Sequence, residues 1–296
     1  VKGDFQMVSA LISPASVVRS LVATVVLLVV AIVLAYGLGA FGFLRLVNWA
    51  ILLAGLTVGL FLILRAKRPL AGAGTIVMAA STWIAFFIMP PAWIWTGLFF
   101  LGAILIAWGT AVDTASAKSW PLLLPRVAGG WALVDNAQDH VLNNWLPSVQ
   151  GTGFFQSATG AASREPRDFL DAAYQGFLKG VVAANLDIWA SLTICGELGF
   201  GTLLAAGVLT PVATIGAMWQ NGNYMLMKGF TAHSGYVDKT FFAIELFCLI
   251  AVAGLAYGLD ATLRRHVPGG VAQTLMGDRA PEAEPVAVRE PELRPA

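Results

Sequence analysis

Charge is what this sequence has least of. Only 12% of its 296 residues are Asp, Glu, Lys or Arg, against 57% hydrophobic residues, and the mean hydropathy is +0.74. Soluble domains carry about twice that share of charge, so a water-soluble globular class is excluded. The net charge of +1 leaves no basic excess for binding nucleic acid. Cysteine is scarce too. Cys195 and Cys248 stand in no CxxC or CxxCH spacing, which argues against a disulfide framework or a c-type haem and makes both small buried hydrophobes. With three histidines in all, only His140 and His233 fall at the same expected face, where a shared metal or haem position is conceivable. A hydrogen-bonding or proton-relay role for His140 and a loop position for His233 explain them better, and no metal site is assigned. His266 belongs at the opposite edge. The alternating ten-residue pattern of a membrane barrel is absent, so any spans are helices.

What the chain does contain is long apolar runs, at roughly 18–41, 46–64, 70–90, 93–112, 123–145, 186–208, 211–228 and 240–259. Crossing the hydrocarbon core takes about 20 apolar residues, so the expectation is an all-α, polytopic membrane protein with about eight transmembrane helices. Lys2, Arg19, Arg65, Lys67, Arg68, Lys118, Arg264 and Arg265 flank these runs on one side, which the positive-inside rule makes cytoplasmic; Arg45 is the short-loop exception. Both termini are then cytoplasmic, and the 146–185 connection, with Arg164, Arg167 and Lys179, lies outside. The expected location is a bacterial or archaeal cytoplasmic membrane. Ten Trp suit interfacial belts. The first run shows no convincing cleavage site and reads as an anchor.

The halves differ in polarity. The first four runs are almost free of ionisable groups, whereas the later ones carry Asp135, Asp139, His140, Glu197 and Glu245. We therefore divide the chain into a bland N-terminal four-helix unit, 1–117, a polar four-helix unit, 118–267, and a tail, 268–296, expected to be disordered from Asp278 onward. Glu197 lies in "GELGFGTLL". Counting 1.5 Å per residue from Leu186 places it roughly 16 Å deep, near the midplane, and Glu245 roughly 8 Å deep. Asp135 and Asp139 are four apart and share a helix face, with Asn136 and His140 on the adjoining stripe. Gln220 and Asn223 enter from the outer end of the seventh run, with Trp219 beside them. The four helices are thus expected to direct polar groups into one pocket that opens outward. A carboxylate at such depth costs about 2.5–3.5 kcal/mol or more and needs a partner. It either accepts protons beside a redox-active or translocated ligand or holds the bundle together as a buried hydrogen-bonding group. Gly199 and Gly201 follow no strand, which defeats a dinucleotide-binding reading, and close helix packing better explains Gly196, Gly199, Gly201 and Gly207.

Three segments also resemble a known family. "FLKGVVAANLDIWASLTICGELGFGTLLAAGVLTPVA" from Phe177, "GNYMLMKGF" from Gly222 and "AGLAYGLDATLRRH" from Ala253 are similar, in order and spacing, to the DoxX/DoxD family of four-helix membrane proteins, over about residues 121–267. That resemblance implies a membrane oxidoreductase system. The DoxD branch resembles the large subunit of thiosulfate:quinone oxidoreductase, which couples two thiosulfates to tetrathionate, passes electrons to quinone and works with a small DoxA partner. Glu197, Glu245, Asp139 and His140 are then the expected proton-handling residues, and Gln220, Asn223, Trp219 and Asp135 the expected quinone-binding ones. Arg164, Arg167, Lys179 and Lys228 could attract an anionic donor or simply meet lipid headgroups. The chain departs from the family in its extra N-terminal helices and in lacking a fused DoxA-like segment, so a DoxA-like or larger complex is the expected partner, together with the bilayer. A non-catalytic structural or assembly subunit of a respiratory or photosynthetic complex is the competing expectation. A transporter comes third, since the first half supplies no matching helix breaks.

Overall fold

Ser13 caps the first helix, α1 (Pro14–Leu64), accepting a hydrogen bond from the Ser16 N–H at 3.2 Å, with Pro14 preset for the first turn. A straight helix of 51 residues would run about 77 Å. Its two ends nevertheless meet neighbouring parts of the chain. Ser16 Oγ donates to the Gln273 carbonyl at 3.3 Å, and the Phe61 ring lies 5.4 Å from His266; residues seven apart are at most about 25 Å apart. The helix therefore folds back on itself, and Gly39, at φ 70° and ψ 164°, is where it does so, a conformation that favours glycine. The computed structural model describes residues 12–88, 90–114, 117–142, 169–228 and 236–277, with a few positions between 160 and 166.

The remaining helices are α2 (Pro69–Phe87), α3 (Ala92–Thr110), α4 (Leu123–Leu142), α5 (Phe169–Phe177), α6 (Leu186–Ala206), α7 (Thr210–Lys228), α8 (Tyr236–Ile250), α9 (Leu259–Leu263) and α10 (Gly269–Met276). No strand occurs among the described residues. Four helical stretches are long and apolar enough to cross a membrane: Pro14–Leu64, Pro69–Phe87, Ala92–Asp113 and Phe169–Ala206. The expectation of about eight spans goes beyond these four stretches. The first two apolar runs fall on the two arms of α1, one on each side of the reversal at Gly39. The polar stripes of α4 and α7 and the 15-residue length of α8 keep those three outside this set.

The N-terminal half is held by glycine contacts. A Cβ at Gly74 would fall 2.6 Å from the Gly102 carbonyl, one at Gly102 would fall 2.9 Å from the Gly74 carbonyl, and one at Gly109 would land on the Ala71 backbone. Small residues let helix backbones approach where no aqueous hydrophobic drive exists, which is why α2 seats so closely on α3. Gly55 and Gly59 do the same for the second arm of α1 against Ala79 and Gly72.

Where α2, α4 and α7 begin, polar groups join the halves. Arg68 donates twice to Asp113, through Nε and Nη2 at 2.8 Å each, and Thr262 Oγ1 and Arg265 Nη1 reach the same carboxylate at 2.7 Å. The Asp113 bond raises the Arg68 pKa. Asp260 accepts the Leu209 and Thr210 N–H groups at 2.8 and 2.9 Å, capping α7 from across the bundle. Burial pushes its carboxyl up to about 6, against the lowering by these N–H groups. The last expected run, 240–259, breaks early. α8 stops at Ile250, and Val252 and Tyr257 adopt positive φ, 46° and 55°, so a turn packed under Arg126 replaces the end of the helix; Arg126 Nη2 donates to the Tyr257 carbonyl at 2.9 Å. The tail beyond Gly277 and His233 lie outside the described residues, as do Arg164 and Arg167.

Candidate functional site

Antiparallel packing of α4 on α6 begins the site. A Cβ at Gly130 would fall 2.5 Å from the Gly201 carbonyl and one at Gly201 would fall 2.7 Å from the Gly130 carbonyl, so these helices touch backbone to backbone there. One turn before Gly201, Glu197 meets α4 about two to three turns beyond Gly130. Its Oε1 accepts from Asn136 Nδ2 at 2.5 Å and from Tyr224 Oη at 2.6 Å, and its Oε2 lies 2.9 Å from His140 Nδ1. The Glu197 side chain is fully buried. Three helices thus converge on one carboxylate. Hydrogen bonds to an ionised group contribute about 1.5–3 kcal/mol each, so three partners outweigh the insertion cost of one carboxylate.

Glu245, on α8, is treated differently. It is also fully buried, but Oε1 has a single donor, Asn221 Nδ2 at 2.6 Å, and Oε2 has no hydrogen-bond partner among the described residues. One bond does not offset burial on the same scale, so stability alone does not account for this residue.

In front of both carboxylates lies a cleft of about 510 Å³, at the end of the bundle where α3 and α8 begin and α4 ends. Asn136 and Asn221, the donors to Glu197 and Glu245, are both on its wall, with Gln138, Asp135, Asp139 and Trp131. The amides thus stand between the cleft and the two buried carboxylates. Gln138 Nε2 donates to the Ala85 carbonyl at 3.2 Å, tying the wall to α2.

The expected site residues divide accordingly. The structure brings Glu197 and His140 into direct contact and places Asp135 and Asp139 on the cleft. Glu245 stands one hydrogen bond behind the wall. Gln220 does not line the cleft; its amide packs over Gly196. Asn223 turns elsewhere, donating to the Trp219 carbonyl at 2.7 Å and accepting from Tyr174 Oη at 3.1 Å. Trp219 points outward, 55% exposed, because its position on α7 falls opposite the face that meets α6. Lys228, considered as an attractor of anions, donates to Asp238 at 2.7 Å, and Asp238 is itself on the cleft. Gly201 packs tightly and Gly207 ends α6 at φ 68°, whereas Gly199 faces open space, so close packing does not explain it. Among the described residues no group of three or more His, Cys, Asp or Glu is placed to hold a metal.

Sequence reasoning missed Tyr224, Asn221 and Gln138 as site residues and left Asn136 as a neighbour. A signal for Asn221 and Tyr224 existed: both sit in "QNGNYM", an unusually polar stretch for an apolar helix, and polar side chains inside a membrane seek partners. Comparison with known proteins found no matching protein family, no matching curated protein and no matching solved structure.

Proposed function

We propose that this chain is the integral membrane subunit of a quinone-linked oxidoreductase of a bacterial or archaeal cytoplasmic membrane, with both termini cytoplasmic and about eight helical passes. The supporting observation is the buried Glu197 carboxylate, bonded to Asn136 and Tyr224 and in contact with His140, one side chain behind a cleft of about 510 Å³. Reducing a quinone takes two electrons and two protons, and His, Glu and Tyr in mutual contact are groups suited to passing protons over short steps. The family resemblance supplies the redox class and, as donor, thiosulfate or a related reduced sulfur compound. Two thiosulfates yield tetrathionate and two electrons, which with two protons convert quinone to quinol. Asp135, Asp139 and Asp238 make the cleft a poor entry for such a dianion. Oxidation of the donor therefore belongs on a partner subunit of the DoxA kind.

The test is to purify the native assembly in mild detergent and assay sulfur-donor-dependent quinone reduction with wild type and Glu197→Gln. The expected result is normal assembly with turnover reduced by about 100-fold or more, the scale of a lost general acid or base. A second reading, a structural subunit of a larger complex, is favoured by one observation. The first arm of α1 exposes Val18, Val22, Val26, Val29 and Val33, each more than half exposed, an apolar surface available to lipid or to a neighbouring subunit. Under it, Glu197→Gln leaves activity unchanged and only loosens assembly.

A further inference from the structure

The chemistry of the cleft wall specifies which form of the ligand it holds, and this inference rests on the quinone reading above. All three amides of the wall turn their nitrogen inward. Asn136 Nδ2 faces Glu197, Asn221 Nδ2 faces Glu245, and Gln138 Nε2 faces the Ala85 carbonyl. These orientations follow from the partners, since a carboxylate or carbonyl oxygen requires the N–H side of the amide. Each amide oxygen is then on the other side. Asn221 and Gln138 are 5% and 6% exposed, so they are deep in the wall, and no described group donates to their oxygens. Asp135 and Asp139 have no ion pair or hydrogen bond among the described residues, and both line the same cleft. The indole N–H of Trp131, also on the cleft, is a buried donor with no hydrogen-bond partner among the described residues. The wall therefore offers mainly hydrogen-bond acceptors.

A quinone head group carries two carbonyl oxygens, acceptors only, and finds few donors there. Its reduced form carries two hydroxyl groups, donors that match amide and carboxylate oxygens. We propose that the cleft selects the quinol over the quinone, holding the two hydroxyls against the amide oxygens of Asn221 and Gln138 and the carboxylates of Asp135 and Asp139. The buried carboxylates behind the wall then stand one side chain away from the hydroxyl protons. A lipophilic cation would also suit an acidic wall with aromatic faces from Trp131 and Phe241, so it serves as the competing ligand in the test.

The measurement is equilibrium binding to the full-length chain in lipid nanodiscs. The probes are a decyl-substituted benzoquinol kept reduced, the matching benzoquinone, and tetraphenylphosphonium. The expected result is quinol binding about tenfold or more tighter than quinone, the worth of one charge-assisted hydrogen bond. The double variant Asp135→Asn, Asp139→Asn, checked for an unchanged melting temperature, brings that ratio down to about two, since the new amides offer donors as well as acceptors. Because the wild-type ratio is informative alone, a variant that fails to fold does not leave the matter open. Equal affinities, or tighter quinone binding, overturn quinol selection while the quinone reading stands. Binding of tetraphenylphosphonium without either quinone form overturns both, and so does the absence of all binding.

Discussion

The two halves of this chain bury polar groups in different ways. In the N-terminal half Thr75 donates to Ala71, Ser81 to Met78 and Thr110 to Ile106, each within its own helix, whereas Ser16 and Ser20 reach α10 and Thr82 also meets Thr202. The bonds within a helix satisfy the hydroxyl without joining anything. In the C-terminal half it is buried carboxylates that are met from other helices, from Asn136 and Tyr224 to Glu197, from Asn221 to Glu245, and from Leu209 and Thr210 to Asp260. Packing in the first half is a matter of glycine shape. In the second it is shape plus a polar network whose members depend on one another. A bilayer supplies little hydrophobic drive for helix association, so each half must find its cohesion in one of these two ways.

That contrast can be broken most forcefully at Glu197. Glu197→Ala removes the acceptor shared by three helices, and the account expects a loss of about 3–5 kcal/mol, read as a large drop in the detergent melting temperature together with loss of turnover. Glu197→Gln recovers most of the stability and none of the activity. Gly109→Leu tests the other half: its side chain collides with the Ala71 backbone, and the expected cost is about 1–3 kcal/mol or more, from overpacking. Quinol binding to the folded fraction should be unchanged, because α3 meets the cleft only at its first residue, Ala92. Asp113→Asn weakens the junction between the halves, where Arg68, Arg265 and Thr262 share one carboxylate. With both arginines partly exposed, the expected loss is about 1–2 kcal/mol. The smallest effect belongs to Thr75→Val, which deletes an intrahelical bond and should shift stability by less than about 1 kcal/mol. If Thr75→Val matches Glu197→Ala in cost, the distinction between the halves is wrong.

Much of this was visible in the sequence at the level of helices. The apolar runs announced α2, α3, α6 and α7 because a helix of apolar residues has one way to satisfy its backbone in lipid. The reversal in α1 was legible only roughly: the two apolar runs divide between 41 and 46, a few residues beyond Gly39, because the turn is concentrated in one glycine and not in a polar loop. The early end of α8 was hidden for a similar reason: Val252 and Tyr257 are ordinary helix residues by composition, and their positive φ is imposed by the turn under Arg126. At the site, the sequence singled out Glu197 and His140 because charge inside an apolar helix is expensive and conspicuous. It misplaced Gln220, Asn223 and Trp219, since spacing along α7 gives a helical face but not which neighbour that face meets. Asn221 and Tyr224, one and four residues beyond Gln220, turned out to face the carboxylates. Register between α4 and α6, set by the Gly130 and Gly201 contact, decided which polar groups met, and a single sequence does not encode that in any local pattern.

Glu197 is proposed to handle the protons of quinone chemistry. The most direct test is the redox-induced infrared difference spectrum of the purified chain with bound quinone, wild type against Glu197→Gln. The expected result is a carboxyl band that changes on quinone reduction in the wild type, shifts in D₂O and vanishes in the variant. A difference spectrum that keeps this band after the substitution would contradict it, and Glu197 would then be only the buried tie between three helices.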